Sequence, residues 1–171
     1  MAKLSSDRLK AAIASYWRYV RRCPLVALEA NCRLQSYSGE LADVLAVNES
    51  RRLIETEIKL DIGDFRRDRE KAKHRLYARR DELVPVSYFY FAVPKEIANQ
   101  VGLLCGNLYP YAGVLGTNGE LTDDGRAGYD VYVYKEPKLI SGRKLSLLEL
   151  ARMAKEQSGT LCRLALKVSE R

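Results

Sequence analysis

Leu41-Ala42-Asp43-Val44-Leu45-Ala46-Val47, then Asn48-Glu49-Ser50-Arg51, then Leu53-Ile54-Glu55-Thr56-Glu57-Ile58-Lys59-Leu60 is the stretch whose reading decides the fold. Residues 53–60 alternate as a strand does, so Leu53, Glu55, Glu57 and Lys59 share one face and Ile54, Thr56, Ile58 and Leu60 the other. Residues 41–47 fill with aliphatics, the mark of a strand with a buried face, and Asp43 interrupts them. The polar connection over 48–51 predicts an antiparallel hairpin. Folding 41–47 back onto 52–59 brings Asp43 beside Glu57 and Lys59, and the expectation is that the three converge on one pocket. Ionised groups sheltered on a strand are costly unless they are paired or bind a metal. Two carboxylates and one ammonium at adjacent strand centres make a compact oxygen-ligand site for a hard cation, with the lysine in reach of a metal-bound water.

Working outward, the chain reads helix, strand, strand, strand, helix, strand, helix, strand, strand, helix. Ser6-Asp7 caps a helix over 6–22, which Pro24 stops. Residues 25–34 form a strand carrying Glu29, and Ser36 to Gly39 turn into the strand of Asp43. Gly63-Asp64 opens a basic helix, with Asp64 at or near its N-cap. Residues 84–93 are apolar and aromatic almost throughout, as in a strand covered on both faces. Pro94 starts a helix to about Cys105, and 111–117 and 129–135 are strands joined by a polar loop holding Asn118-Gly119 and Asp124-Gly125. An amphipathic helix over 143–157, with Ser146 available for capping, closes the chain. This order predicts an α/β three-layer sandwich, a mixed central sheet flanked by helices.

The 171 residues suit one domain, 1–171. No run of about 18 apolar residues is present, and the first residues lead into a charged helix rather than an apolar signal region. A soluble, cytoplasmic protein with no membrane partner is expected. Cys23, Cys32, Cys105 and Cys162 are scattered without a CxxC pair, which points to free buried thiols rather than a zinc knuckle or redox dithiol. With 29 Lys and Arg against 22 Asp and Glu the net charge is +7. Arg66, Arg67, Arg69, Lys71, Lys73, Arg75, Arg79 and Arg80 outnumber Asp64, Asp68 and Glu70, so the helix over 63–80 is either a polyanion-binding element beside the acidic cluster or a solvated face of alternating charge. The one-sided excess favours nucleic acid.

Asp43, a 13-residue gap and Glu57-Ile58-Lys59 resemble the D…(D/E)xK signature of the PD-(D/E)XK nucleases, the restriction-endonuclease-like superfamily. Asp64-Phe65, Asp68, Lys73-His74-Arg75-Leu76-Tyr77 and the strand Tyr88 to Pro94 follow in an order that resembles its MmcB-like DNA-repair branch, and the resemblance covers a core over about 25–140. Ala42 stands where the signature's name has Pro, and His74 where an aromatic is expected. The resemblance implies a magnesium- or manganese-dependent endonuclease acting on DNA in repair or genome maintenance. It implies metal binding by Asp43, Glu57 and the Ile58 carbonyl, with Lys59 and Lys73 catalytic. Such a metal polarises the scissile phosphate and lowers the pKa of a bound water. Lys59 positions that water and stabilises developing charge. A trio present only for chemistry is removable without loss of the fold.

Each candidate has a plainer alternative. Glu57 and Lys59 alone make a cross-face salt bridge, and Asp43 a turn or capping residue. Glu29 is a further metal ligand or an exposed edge residue, Glu55 a ligand or the partner of an arginine, and Glu40 a strand-end surface residue. Arg66, Arg67, Lys73 and Tyr77 are the candidate nucleic-acid contacts; Lys73 and Tyr77, four apart, share a helix face that looks at the phosphate or else forms surface charge and core edge. The tyrosines at 88, 90, 109, 111, 129, 132 and 134 invite base stacking, but strand spacing favours packing. His74 is the only histidine, which excludes chemistries needing two. The alternatives to a DNA nuclease are a non-catalytic nucleic-acid-binding module of the same fold and an RNA-cleaving nuclease. A homodimer is compatible with either.

Overall fold

The computed structural model describes residues 4–30, 41–80, 84–123 and 126–169. The readings placed on 31–40, including the turn before Asp43 and Glu40, and on Asp124-Gly125 lie outside the described residues. Ser5 caps the first helix by accepting from the Arg8 N–H at 3.2 Å. That helix, α1 (Ser6–Ser15), buries Leu9, Ala12 and Ile13 and passes into a π-helical turn over Tyr16–Val20 that buries Tyr16 and Trp17. The expected helix over 6–22 thus widens in its second half and ends where Arg22 turns left-handed, at φ 55°, ahead of Pro24.

Six strands form one sheet in chain order: β1 (Leu25–Ala30), β2 (Ala42–Val47), β3 (Leu53–Ile58), β4 (Val86–Pro94), β5 (Gly113–Thr117) and β6 (Tyr132–Lys135). β1, β2 and β3 are an antiparallel meander, β3–β4 and β4–β5 pair in parallel, and β6 returns antiparallel. The hairpin over 48–51 forms as the sequence predicts, with Arg51 at φ 61° and the Arg52 N–H donating to the Asn48 side chain at 3.0 Å. Parallel neighbours need crossover connections. These are α2 (Ile62–Arg67) and α3 (Lys73–Arg79) between β3 and β4, and α4 (Lys95–Leu108) between β4 and β5. Every residue of β4 except Tyr88 is buried, as expected of a strand covered on both faces.

A last helix, α5 (Leu147–Ser169), completes the layer that α2, α3 and α4 form over one face. There Leu45, Leu53, Phe89, Phe91 and Val114 of the sheet meet Phe65, Tyr77, Val101 and Met153. On the other face α1 and the π turn cover Val44, Ala46, Ile54, Ile58, Ala92 and Leu115. The protein is therefore an α/β three-layer sandwich with a mixed central sheet. No helix among the described residues is long and apolar enough to cross a membrane.

Two helices depart from the sequence reading. The basic helix over 63–80 is broken: α2 ends at Arg67, Asp68–Glu70 form a 3-10 turn, Lys71 is extended, and α3 begins at Lys73. Asp61, not Asp64, is the N-cap, its carboxylate accepting from the Asp64 N–H at 2.8 Å. At the other end, residues 140–146 are not helical but tied down, with Ile140 N–H donating to Ser87 O of β4 and Leu145 N–H to Arg51 O of the 48–51 turn. Ser146 and Glu149 then form a capping box in which each side chain accepts from the other's backbone N–H, and α5 runs on to Ser169.

Gly128 shows how closely the 126–131 return packs on the α1–π junction. It lies at φ 90°, and a Cβ there would sit 2.4 Å from Tyr16 N and 2.6 Å from Ala12 O, both backbone atoms that cannot swing away. Gly128→Ala is expected to cost about 2 kcal/mol, from strain and displacement together. Thermal melting followed by circular dichroism checks this, with a fall of roughly 4–8 °C.

Candidate functional site

β3 carries Glu55 and Glu57 into the centre of the sheet on the face covered by α3, and both are buried, Glu55 completely. Their charge is met by α3. Lys73, 1% exposed, donates to Glu55 Oε1 at 2.7 Å and bonds Glu57 Oε1 as well. Tyr77, one helical turn on, donates its hydroxyl to Glu55 Oε2 at 2.5 Å. The other Glu57 oxygen takes Lys71 at 3.0 Å. Lys59, just past β3, lies 3.8 Å from Glu57 but pairs more closely with Asp68, at 2.6 Å. Asp68 also accepts from Lys71 at 2.9 Å and from His74 Nε2 at 2.6 Å, and His74 Nδ1 takes the Tyr111 hydroxyl at 2.6 Å. Three carboxylates thus face three ammonium groups in a continuous network. Phe89, Phe91, Tyr109 and Tyr111 wall it around His74, and the Lys73 ammonium sits 5.4 Å from the Phe89 ring centroid.

The break between α2 and α3 follows from this network. A continuous helix would carry Asp68 round with the arginines; the 3-10 turn lets its carboxylate drop inward to Lys59 and His74 while Arg66, Arg67 and Arg69 stay exposed. Burial by itself disfavours each charge, but the partners prevail. The Asp68 carboxyl is held well below the usual carboxylate range by His74, Lys59 and Lys71, and the Lys73 ammonium is pushed above the usual lysine range by Glu55 and Glu57.

A carboxyl depressed in the folded state contributes stability that is complete above its unfolded pKa of about 3.9 and is lost as pH falls through the folded value. Urea midpoints are therefore expected to fall as the pH drops below about 4, and Asp68→Asn to remove part of that acid-side slope while lowering the midpoint at neutral pH. Denaturation curves at a series of pH values check this.

Asp43 is placed differently. Its Oδ2 accepts from the Ile58 N–H at 2.8 Å, and its Oδ1 pairs with Lys10 of α1 at 3.1 Å. Lys10 also holds Glu29 at 2.8 Å, on a residue in the left-handed region at φ 48°. Lys10 is pushed up by these two carboxylates against the opposite pull of burial, and Glu29 is lowered by Lys10. Asp43 therefore reaches the Glu57–Ile58 peptide as the signature needs, but its charge is met from the α1 layer and that of Glu57 from the α3 layer, on opposite sides of the sheet. The expected single pocket is replaced by two clusters, Glu29–Lys10–Asp43 and Glu55–Glu57–Lys59–Asp68–Lys71–Lys73–His74. Ile58 spends its N–H on Asp43 and buries its side chain under α1.

A magnesium or manganese ion of the kind the resemblance implies would have to displace Lys71 or Lys73 to reach a Glu57 oxygen. Both Glu57 oxygens already bond ammonium groups, and among the described residues no three His, Cys, Asp or Glu side chains are grouped to hold a metal. Two expected nucleic-acid contacts are also relocated: Lys73 and Tyr77 lie in the core, beyond the reach of a polymer phosphate. Arg66 and Arg67 are exposed, as such contacts must be. Glu55 is indeed a paired residue, though with a lysine and a tyrosine rather than an arginine. Sequence reasoning missed Lys10, Asp68, Lys71 and His74 as members of these clusters. The spacing of Asp68, Lys71 and His74, each three apart, was the available signal for three of them; Lys10 offers none, because only the docking of α1 brings it to Asp43.

No protein-family model matches the chain, and no curated protein matches it. Among solved structures it is similar to the SPO1766 protein of unknown function from Silicibacter pomeroyi, at 16% identity and a TM-score of 0.58, over 99% of this chain and 94% of that one. At this identity the likeness concerns the fold.

Proposed function

We propose that the protein binds nucleic acid, DNA in the first place, through segment 66–80 on a restriction-endonuclease-like core, and serves DNA repair or genome maintenance. One observation carries the reading: the charge left exposed on the segment is predominantly basic, six arginines against the one carboxylate of Glu70. Asp68 and Lys73 point inward and are buried, whereas Arg66, Arg67, Arg69, Arg75, Arg79 and Arg80 are exposed. Among the described residues only Arg67 of these six has a carboxylate in pairing distance, Asp64 at 3.7 Å. An alternating solvated helix would display its acids beside its bases; here part of the acid is withdrawn and guanidinium groups remain, the group best matched to phosphate. Binding of labelled DNA, followed by anisotropy between about 50 and about 200 mM salt, is expected to weaken with a log-log slope of roughly −0.9 per neutralised phosphate. No binding at the lowest salt would overturn the proposal.

Hydrolysis of the phosphodiester is a second reading, favoured by the 2.8 Å bond from Ile58 N–H to Asp43, which sets the Asp and Glu-x-Lys segments of the signature side by side. Nicking of labelled single-stranded, double-stranded and branched DNA with and without magnesium, by the wild type and Asp43→Ala, tests it. Cleavage lost in the variant supports the reading, and no metal-dependent cleavage on any substrate removes it.

A further inference from the structure

The arginines of α2 and the 3-10 turn after it do more than present charge. Arg66, Arg67 and Arg69 stand round a hollow of about 400 Å³ whose opposite wall is α4, with Leu104 and Leu108 one turn apart, Asn107 beside them and Glu70 at the rim. The two walls are fixed to each other. Tyr109, at the end of α4, donates its buried hydroxyl to Phe65 O at 2.9 Å, and its ring meets the Phe65 ring edge-on at 5.2 Å. The arginine-bearing turn is thus held by its own backbone against α4, so the hollow exists before any ligand arrives.

A site that gathered only phosphates would need nothing but the rim. This one has an apolar wall, three guanidinium groups and a side-chain amide that both donates and accepts, in a volume suited to a small flat group. Three guanidinium groups against the one carboxylate of Glu70 leave the rim positive. A duplex keeps its bases stacked and shows only their edges inside the grooves, so it has no surface to lay against two leucines. An unstacked base has both an apolar face and a hydrogen-bonding edge, and an arginine plane stacks on such a face while its neighbours hold the adjoining phosphates.

We infer that the α2–α4 hollow receives one unstacked nucleobase, making the protein a reader of single-stranded or locally opened nucleic acid; this rests on the nucleic-acid reading above. The test compares an oligonucleotide with an abasic strand of equal length and charge, and with a duplex, on the full chain. The base-bearing strand is expected to bind about tenfold tighter than the abasic one, the low end for one stacked base, and tighter than the duplex. Leu104→Gln and Asn107→Ala should each shrink that preference while leaving the abasic affinity unchanged, and thermal melts establish that the variants are folded. Should Leu104→Gln not fold, the wild-type comparison of base-bearing and abasic strands decides alone. Equal binding of the two strands, or duplex preferred over both, overturns the inference and leaves the nucleic-acid reading standing. Failure to bind any of the three overturns both.

Discussion

Lys73→Ala is expected to lower the free energy of unfolding by about 3–5 kcal/mol, because it strips the shared cation from two buried carboxylates. That is a large part of the roughly 5–15 kcal/mol that holds an ordinary domain together. Glu55 is wholly buried and Glu57 nearly so, and water cannot replace the ammonium without opening the layer between β3 and α3. Urea denaturation at neutral pH measures the loss. Adding Glu55→Gln and Glu57→Gln to the lysine variant should return much of it, since the triple variant buries no unpaired charge at that point. A midpoint unchanged in the single variant would show that Lys73 is dispensable to the fold and restore the catalytic role that its sequence position suggests. The same argument revises the expectation that the acid–lysine trio is removable at no structural cost: Glu57→Ala leaves Lys71 and Lys73 facing each other across an emptied position.

Reversing Arg66, Arg67 and Arg75 to Glu together is expected to weaken DNA binding by at least about a hundredfold near physiological salt and to reduce the log-log salt slope by about 2.7, three phosphate contacts' worth. All three side chains are exposed, and the one ion pair among them, Arg67 with Asp64, is partly solvated and contributes little to stability. The melting temperature should therefore stay near that of the wild type while affinity collapses, the opposite of the Lys73 result. An unchanged slope would mean that this segment is a solvated face and that binding, if present, lies elsewhere.

The strands were legible because their period is short and local. Leu53 to Lys59 announces its two faces residue by residue, and the flanking meander and the fully covered Val86–Pro94 strand follow from the same rule. The capping box at Ser146 and Glu149 was half-visible as a serine ahead of an amphipathic run. What was not legible came from docking. Nothing between 63 and 80 breaks a helix by propensity, yet burial of the Asp68 carboxylate against Lys59 and His74 breaks it. Gly159 invites an early end to the last helix, but a side chain there would meet nothing within 4 Å, so the residue costs about 1 kcal/mol of propensity and the helix continues. Asp43 was placed at the right point of the sheet, opposite the Glu57–Ile58 peptide. Its partner, Lys10, comes from a helix 33 residues earlier whose position no local pattern encodes.

The parallel pairing of β3 with β4 gives the buried network a further consequence, in the order of assembly. β3 cannot close its inner face against α3 until the chain has travelled through 59–72, because Asp68, Lys71 and Lys73 all arrive from that crossover. Before then Glu55 and Glu57 must keep their hydration, and any collapsed chain that excludes water from β3 ahead of α3 carries two unpartnered carboxylates. β3 and the 68–77 segment should accordingly close and open as one cooperative unit. Their amides should share a single free energy of opening in native-state hydrogen exchange, although the helix taken alone is too short to persist in water.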